Sequence, residues 1–362
     1  MPGTQQVFQL ETVHMNDDGT ELTIIDQTQL PGELVYKKLY TVKAVWEAIR
    51  RLEVRGAPAI GVTAAYGVVL AMMEQQMESG TELMSAFRKH KAYLETSRPT
   101  AVNLFWALDR IQDCLIRNQY EKTSTIKKAI LQEAHDIKNQ DIQVCRMIGE
   151  HGLSLLRPGM GLLTHCNAGQ LATSRYGTAL APMYLGHERG YGFRVFAGET
   201  RPLLQGARLT TFELQQAGID VTLICDSMAA TVMKNGWVQA VFTGCDRLAS
   251  NGDAANKIGT SGIAILAKHY EIPFYICVPM STIDRQCESG QDIEIEERDA
   301  GEVTHLWYQK PMAPEGVSVF NPAFDITEGE LISGIVTERG VILPPYRENL
   351  AALFRKGREE AK

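Results

Sequence analysis

The sequence predicts an α/β protein in two parts: a small antiparallel sheet with a helical layer, followed by a doubly wound parallel sheet. Three observations predict it. Residues 1–40 alternate apolar and polar side chains in short runs, and residues 42–157 carry apolar side chains at helical spacing. Beyond Arg157-Pro158-Gly159, short apolar runs alternate with helical stretches. A chain of 362 residues is long enough for two domains, placed at 1–157 and 158–362.

The elements follow in order. QVFQLE, ELTIIDQ and ELVYKKLY read as strands, punctuated by the turn formers Asp17-Asp18-Gly19 and Pro31-Gly32. TVKAVWEAIRRL, AFRKHKAYLETS, NLFWALDRIQDCLIR and the long run from Lys127 to Leu156 read as helices. APAIGVTAAYGVVLAMM (57–73) is nearly apolar, but Pro, Gly, Thr and Tyr interrupt it and it is short for a bilayer, so it predicts a buried helix. GLLTHC, FRVFAGE, DVTLICDS, QAVFTGCD and IPFYICVP then read as five parallel strands of a Rossmann-like sheet. After residue 280 the pattern is less regular, with acidic DIEIEERDAGE and Pro-rich GVILPPY.

Composition narrows the function classes. Hydrophobic residues at 44% and charged residues at 22% are those of an ordinary globular protein. A net charge of −7 argues against a general nucleic-acid or anionic-membrane surface. The start, MPGTQQVFQL, has no secretory pattern, and seven cysteines without a CxxC pair suit a reducing compartment; the expectation is cytoplasmic. Scattered histidines give no HxH or HExxH, so no metal or other cofactor is expected.

The predicted strands end in Cys166-Asn167, Glu199-Thr200-Arg201, Asp226-Ser227, Cys245-Asp246 and Ser281-Thr282. In an open parallel sheet these ends share one edge, where ligands bind. Cys166 at a strand-to-helix turn is a candidate base, because backbone amides and a helix N-terminus depress a thiol pKa; the competing reading is a buried structural thiol. Cys225 and Cys277, inside apolar runs, suit that structural reading. Asp246 is a candidate general acid if the strand mouth desolvates it, and otherwise a helix cap. Asp253, in Asn-Gly-Asp, reads as a turn residue.

Several segments suit an anion. Asn256-Lys257 followed by Gly259-Thr260-Ser261-Gly262 offers a cation and exposed amides, without being a Walker loop. Arg55-Gly56-Ala57-Pro58 opens the apolar helix, and Arg98-Pro99-Thr100 repeats the arrangement; for either arginine alone a surface role is the competing reading. Gln205-Gly206-Ala207-Arg208 adds polar groups after the second strand. Phosphate capture with one base and one acid fits proton transfer on a phosphorylated metabolite.

RGAPAIG, SRPTAVNL, THCNAGQLAT, ETRPLLQGARLT, TGCDRLASNGDAANKIGT and VSVFNPAFDIT together resemble the methylthioribose-1-phosphate isomerase family. The similarity spans nearly the whole chain. It implies an aldose-to-ketose isomerisation of 5-methylthioribose 1-phosphate in methionine salvage, by a homodimer. It also implies a catalytic pair, Cys166 and Asp246, and substrate contacts from Arg55, Gly56, Ala57, Arg98, Gln205, Asn256 and Lys257. The same fold is shared with ribose-1,5-bisphosphate isomerases and with regulatory subunits of a translation-initiation exchange factor, which generally lack the pair. A sugar-phosphate- or nucleotide-binding regulatory subunit and a bisphosphate isomerase are therefore the alternatives, and 5-deoxyribose 1-phosphate is a further plausible substrate. One departure stands out: Cys245 occupies a position where alanine is expected, and it places a second thiol beside Asp246.

Overall fold

The computed structural model describes residues 9–74, 76–77, 79–99 and 101–359. They form two compact units. One runs to Met147 and also takes Ala168–Gly177; the other takes Ile148–Asn167 and the chain from Thr178 onward. The Pro158-Gly159 punctuation lies beyond the end of the long helix α5 (Thr123–Leu153), while the packing boundary falls inside that helix.

In the first unit, β1 (Val13–Met15), β2 (Leu22–Ile25) and β3 (Tyr36–Leu39) form an antiparallel sheet in that order, with Val13 opposite Ile24 and Leu22 opposite Leu39. The turn after β1 is built by Asn16, whose Oδ1 accepts the amides of Thr20 and Glu21. Four helices precede α5: α1 (Val42–Arg50), α2 (Ala57–Glu74), α3 (Gly80–Glu95) and α4 (Val102–Arg117). Side chains of Thr41 and Ser79 cap α1 and α3 through the amides of Ala44 and Glu82.

α2 is long and apolar enough to cross a membrane, but every residue from Ala59 to Met72 is buried within the protein. It forms the axis of the unit's core, in one cluster with Phe87 of α3, Leu108 of α4 and Ile130 of α5. Gly61 permits its closest approach: a Cβ there would stand 2.8 Å from the carbonyl oxygen of Asn103 in α4.

The second unit is organised around a seven-stranded sheet. Its strands are β4 (Gly161–Thr164), β5 (Arg194–Gly198), β6 (Asp220–Ile224), β7 (Ala240–Thr243), β10 (Phe274–Cys277), β13 (Gly334–Thr337) and β14 (Gly340–Ile342). Helices α6 (Ala181–Glu188), α7 (Thr211–Gln216), α8 (Ala229–Lys234) and α9 (Thr260–His269) lie between successive strands up to β10. The spatial order is β14-β13-β10-β7-β4-β5-β6, parallel except at β13/β14. The chain lays β5 and β6 on one side of β4, then returns to lay β7, β10 and β13 on the other. That is the doubly wound, Rossmann-like order, and its reversal falls between β4 and β7.

The five strands expected from sequence are β4, β5, β6, β7 and β10. The structure corrects three details. The segment after residue 280 supplies β13 and the edge strand β14, with the terminal helix α11 (Tyr346–Glu359) and a single helical turn α10 (Gly301–Thr304). A four-stranded sheet joins β8 (Arg247–Ala249), β9 (Ala254–Lys257), β11 (Ile283–Asp284) and β12 (Phe324–Thr327) in the order β11-β8-β9-β12. The polar run 243–260 therefore contains a β-hairpin rather than an open loop. Cys225 is exposed, because it follows β6 at the sheet edge, whereas Cys277 is buried as expected.

Replacing Gly61 by alanine should push α4 away from α2 and cost about 1–3 kcal/mol, as overpacking does. A urea midpoint equal to that of the wild type would show that the helices part without penalty.

Candidate active site

β4 lies between β7 and β5, with Thr164 opposite Phe242 on one side and Ala197 on the other. Their carboxyl ends open on one edge of the sheet. Cys166 follows β4 by two residues, Asp246 follows β7 by three, and Gln205 stands in the loop after β5. The two residues proposed for chemistry thus flank the strand-order reversal, where the diverging connections of a doubly wound sheet leave a crevice.

The backbone at Cys166 is in the left-handed region, with φ +60°. A non-glycine residue held there costs about 1–2 kcal/mol, so its surroundings must fix it. Two threonines do so. Thr200 Oγ1 accepts the Cys166 amide at 2.9 Å, and Thr210 Oγ1 donates to the Cys166 carbonyl at 2.6 Å. Thr200, itself at φ +66°, is held in turn by Asp226, whose carboxylate accepts the amides of Thr200 and Arg201 at 2.8 Å each. The left-handed step also ends strand alternation at Cys166.

Behind the cysteine lies a buried polar network. Asn167 Nδ2 donates to Thr210 Oγ1 at 3.2 Å and to Glu213, whose other carboxylate oxygen accepts the Tyr184 hydroxyl at 2.6 Å. Asn167, Thr210, Glu213 and Tyr184 are all buried. Thr210 closes a five-residue π-helical stretch, Gly206–Thr210, that leads into α7. Gly206 is required there: a Cβ would lie 1.7 Å from the Gly198 carbonyl oxygen. Gln205, just before it, is buried, and its Oε1 has no hydrogen-bond partner among the described residues. An orphaned buried acceptor of this kind calls for a donor from water or ligand.

Sequence reasoning placed Cys166 at a strand-to-helix turn. The structure shows only a single 3₁₀ turn, Gln170–Ala172, while α6 begins at Ala181. No long helix therefore follows β4 directly, and the backbone clamp is the local feature that distinguishes Cys166.

Asp246 is half-buried, and its amide donates to the Ala255 carbonyl of β9 at 2.9 Å. It stands at the start of the β8–β9 hairpin, not at a helix start, so the helix-cap reading fails. Cys245 is half-buried with its thiol 3.5 Å from the Ala255 carbonyl; burial, reinforced by the Asp246 charge, pushes that thiol well above its ordinary range. Cys245 is thus an inert neighbour. Asp253 makes the expected turn, exchanging hydrogen bonds with Asn251 at 2.8 and 3.0 Å.

The 256–262 segment departs from its expected form. Asn256 Nδ2 donates to Thr260 Oγ1 at 3.0 Å, and buried Lys257 donates to the Ala323 carbonyl at 2.8 Å while lying over the Phe324 ring. The amides of Gly259 and Ser261, at the N-terminus of α9, donate to the Asp325 carboxylate at 2.8 and 3.2 Å. An internal carboxylate therefore occupies the place where sequence grammar put a phosphate. His165, buried beside Gly259, bonds the Ile258 carbonyl through Nε2 at 2.8 Å, and burial holds its pKa below the ordinary range.

In the first unit, buried Arg55 precedes Gly56, which has φ +93° and no room for a Cβ: Ala172 Cα would be 2.5 Å away. Ala57 begins α2, as expected from Pro58. The segment that packs on Gly56 is tied down by Gln27, which donates to the Leu171 carbonyl at 2.7 Å, and by Thr12, which donates to that of Gln170 at 2.7 Å. Arg98 is half-buried before α4; its neighbour Thr100 lies outside the described residues. The sequence names Thr200 only as part of a polar strand end and gives no individual role to Thr210, Glu213 or Asp325, since their long-range partners leave no mark on the local pattern.

Burial raises the Asp325 carboxyl to about 6, against the amide bonds from Gly259, Ser261 and its own backbone and the charge of Lys257, which lower it. The folded value lies above the unfolded one, so this group's contribution to stability is full below about pH 3.8 and is lost as pH rises through 6. The stability gap between the wild type and Asp325→Asn should move in the wild type's favour as pH falls from about 7 to about 5. Urea midpoints across that window check it; a constant gap would refute the shift.

Comparison with known proteins gives the lineage. The initiation factor 2 subunit family matches residues 53–344. A methylthioribose-1-phosphate isomerase of Symbiobacterium thermophilum is 61% identical over 98% of this chain and 98% of its own. A 5-deoxyribose 1-phosphate isomerase of Petrotoga mobilis is 54% identical over 94% of this chain and 98% of its own. The crystal structure of 5-methylthioribose 1-phosphate isomerase from Pyrococcus horikoshii OT3 superposes with a TM-score of 0.89 at 41% identity, covering 95% of this chain and 96% of that one. The chain belongs to the initiation factor 2 subunit family and, within it, to the methylthioribose-1-phosphate isomerases, which interconvert an aldose and a ketose.

Proposed function

We propose that the protein converts 5-methylthioribose 1-phosphate to 5-methylthioribulose 1-phosphate, in methionine salvage, with Cys166 as base and Asp246 as acid. The observation that carries this reading is the placement of both residues at the strand-order reversal, with the cysteine backbone clamped by Thr200 and Thr210. A regulatory subunit without turnover has no use for that arrangement.

The chemistry begins from an anomeric oxygen that is esterified, so the sugar cannot open to a free aldehyde. Protonated Asp246 donates to the ring oxygen as the C1–O bond breaks, leaving an electron-deficient C1. Cys166 thiolate, or a group it controls, removes the C2 proton, and the C2–H electron pair forms the C1=C2 bond of an enediol phosphate. The O2 proton then leaves, C2 becomes a carbonyl, and C1 takes a proton to give the ketose 1-phosphate. A C2-to-C1 hydride shift is the competing route. Arg55, Gly56, Ala57 and Arg98 of the first unit, and Gln205, Asn256 and Lys257 of the second, are proposed as substrate contacts. The orphaned Gln205 acceptor suits a sugar hydroxyl.

A second reading has direct support. Relatives above 50% identity carry the name 5-deoxyribose 1-phosphate isomerase, and that sugar differs from the first only in its apolar C5 substituent. Activity on both substrates is proposed. Ribose 1,5-bisphosphate would instead require cations at C5. A cytoplasmic homodimer is proposed as the working form, in keeping with the family and with seven cysteines joined by no disulfide.

Ketose formation from 5-methylthioribose 1-phosphate, followed by NMR in D2O, tests the assignment. Cys166→Ser and Asp246→Asn should each lower kcat by about 10²–10⁴-fold, the range for lost acid–base catalysis, with the fold retained. Deuterium at C1 favours the enediol route. Saturable binding without turnover by the wild type would replace this reading with the regulatory one. Thr210→Val should lower kcat and cost about 1–2 kcal/mol of stability through the freed Cys166 carbonyl; unchanged kinetics would show that the clamp is not needed.

A further inference from the structure

A cavity of about 320 Å³ opens where α11 packs beside the end of β11. Its apolar lining includes Ile283, Leu350 and Phe354. Three charged residues line it, Arg285, Arg347 and Arg355, and all carry the same sign in a chain of net charge −7. Spacing explains the grouping: Arg347, Leu350, Ala351, Phe354 and Arg355 fall at helical intervals on one face of α11.

Like charges gathered on an apolar floor repel one another unless acids balance them, and the nearby acids are engaged elsewhere. Asp284 meets Arg247 at 3.7 Å and accepts the amides of Gln286 and Cys287. Asp253 accepts the amides of Gly290 and Gly329 at 2.9 Å each. Asp292 is held by Ser289. Among the residues whose side chains are described, which end at Arg355, no carboxylate pairs with any of the three guanidinium groups. Arg347 donates to the Glu288 carbonyl at 3.2 Å, and Arg285 lies 4.8 Å over the Phe354 ring.

We propose that this cavity binds a small phosphorylated or similarly dianionic organic molecule, with its anion on Arg347 and Arg355 and its apolar or flat body on Phe354 and Leu350. Planar guanidinium forks match phosphate oxygens in pairs, which a single lysine cannot do. The volume lies at the small end of ligand pockets and suits a metabolite rather than a peptide. The cavity is separate from the catalytic pair: Ser250, on its rim, stands beyond β8, whereas Asp246 precedes that strand. The proposal is therefore independent of which sugar phosphate the enzyme isomerises.

Calorimetric titration with phenyl phosphate tests it, run on the wild type and on variants of the cavity, so that binding at any other phosphate site appears in both and cancels. The wild type should bind about one equivalent per chain, roughly tenfold more tightly than it binds inorganic phosphate, because the ring is buried. Arg347→Gln/Arg355→Gln should abolish that binding while leaving isomerase turnover and melting temperature near those of the wild type. Ala351→Phe, at an exposed position on the rim, fills the space while keeping all three arginines, and should abolish it too. Undiminished binding in either variant overturns the proposal. Equal affinity for inorganic and phenyl phosphate overturns the apolar half of it.

Discussion

The left-handed backbone at Cys166 is the constraint on which the candidate site depends. A strand that continued in extended conformation would carry its next side chains alternately into the sheet's two helical layers. The positive φ at residue 166 breaks that alternation at the carboxyl edge. Such a conformation persists only where neighbours over-determine it. Here Thr200 and Thr210 take the cysteine's two backbone hydrogen-bonding groups, and each threonine is fixed by a further layer. Asp226 holds the turn carrying Thr200, while Gly206 lets the π-helical stretch of Thr210 approach β5. Three consecutive strand ends, those of β4, β5 and β6, thus cooperate to present one thiol.

The opposite side of the strand-order reversal is built differently. Asp246 leads into the β8–β9 hairpin instead of a helix, and the small sheet containing that hairpin also includes β12. Asp325 on β12 reaches the α9 N-terminus and satisfies two of its amides, and Lys257 on β9 is fixed by the carbonyl of Ala323 just before β12. An anion is thus already present where a helix start would otherwise attract one. The α9 terminus is therefore engaged, and the substrate contacts proposed at that end are the side chains of Asn256 and Lys257. The sheet that supports them was absent from the sequence reading, because its strands are two to four residues long and carry no sustained alternation.

The first unit is built around one buried helix. Its central helix is buried along its length, and Gly61 brings α4 against it. At the helix start, Gly56 has neither the φ nor the space for a side chain, so Arg55 is delivered from a fixed turn. The glycine and proline of RGAPAIG are thereby explained as backbone requirements, and only the arginine remains as a group with chemistry to offer.

The sequence by itself determined most element types, five of the parallel strands and the convergence of Cys166 and Asp246 on one sheet edge. These follow from local periodicity and from the parallel order that crossover helices impose. It also named the family, through motifs spread over nearly the whole chain. Tertiary structure alone decided the rest. The threonine clamp on Cys166, the Glu213 network behind it, the Asp325 carboxylate at α9 and the arginine cavity at α11 each join residues far apart in the chain. No local pattern encodes such pairings, because a hydroxyl or carboxylate reads the same in sequence whether it faces water or a partner thirty residues away. The exposure of Cys225 was decided the same way, by β6 lying at the sheet edge.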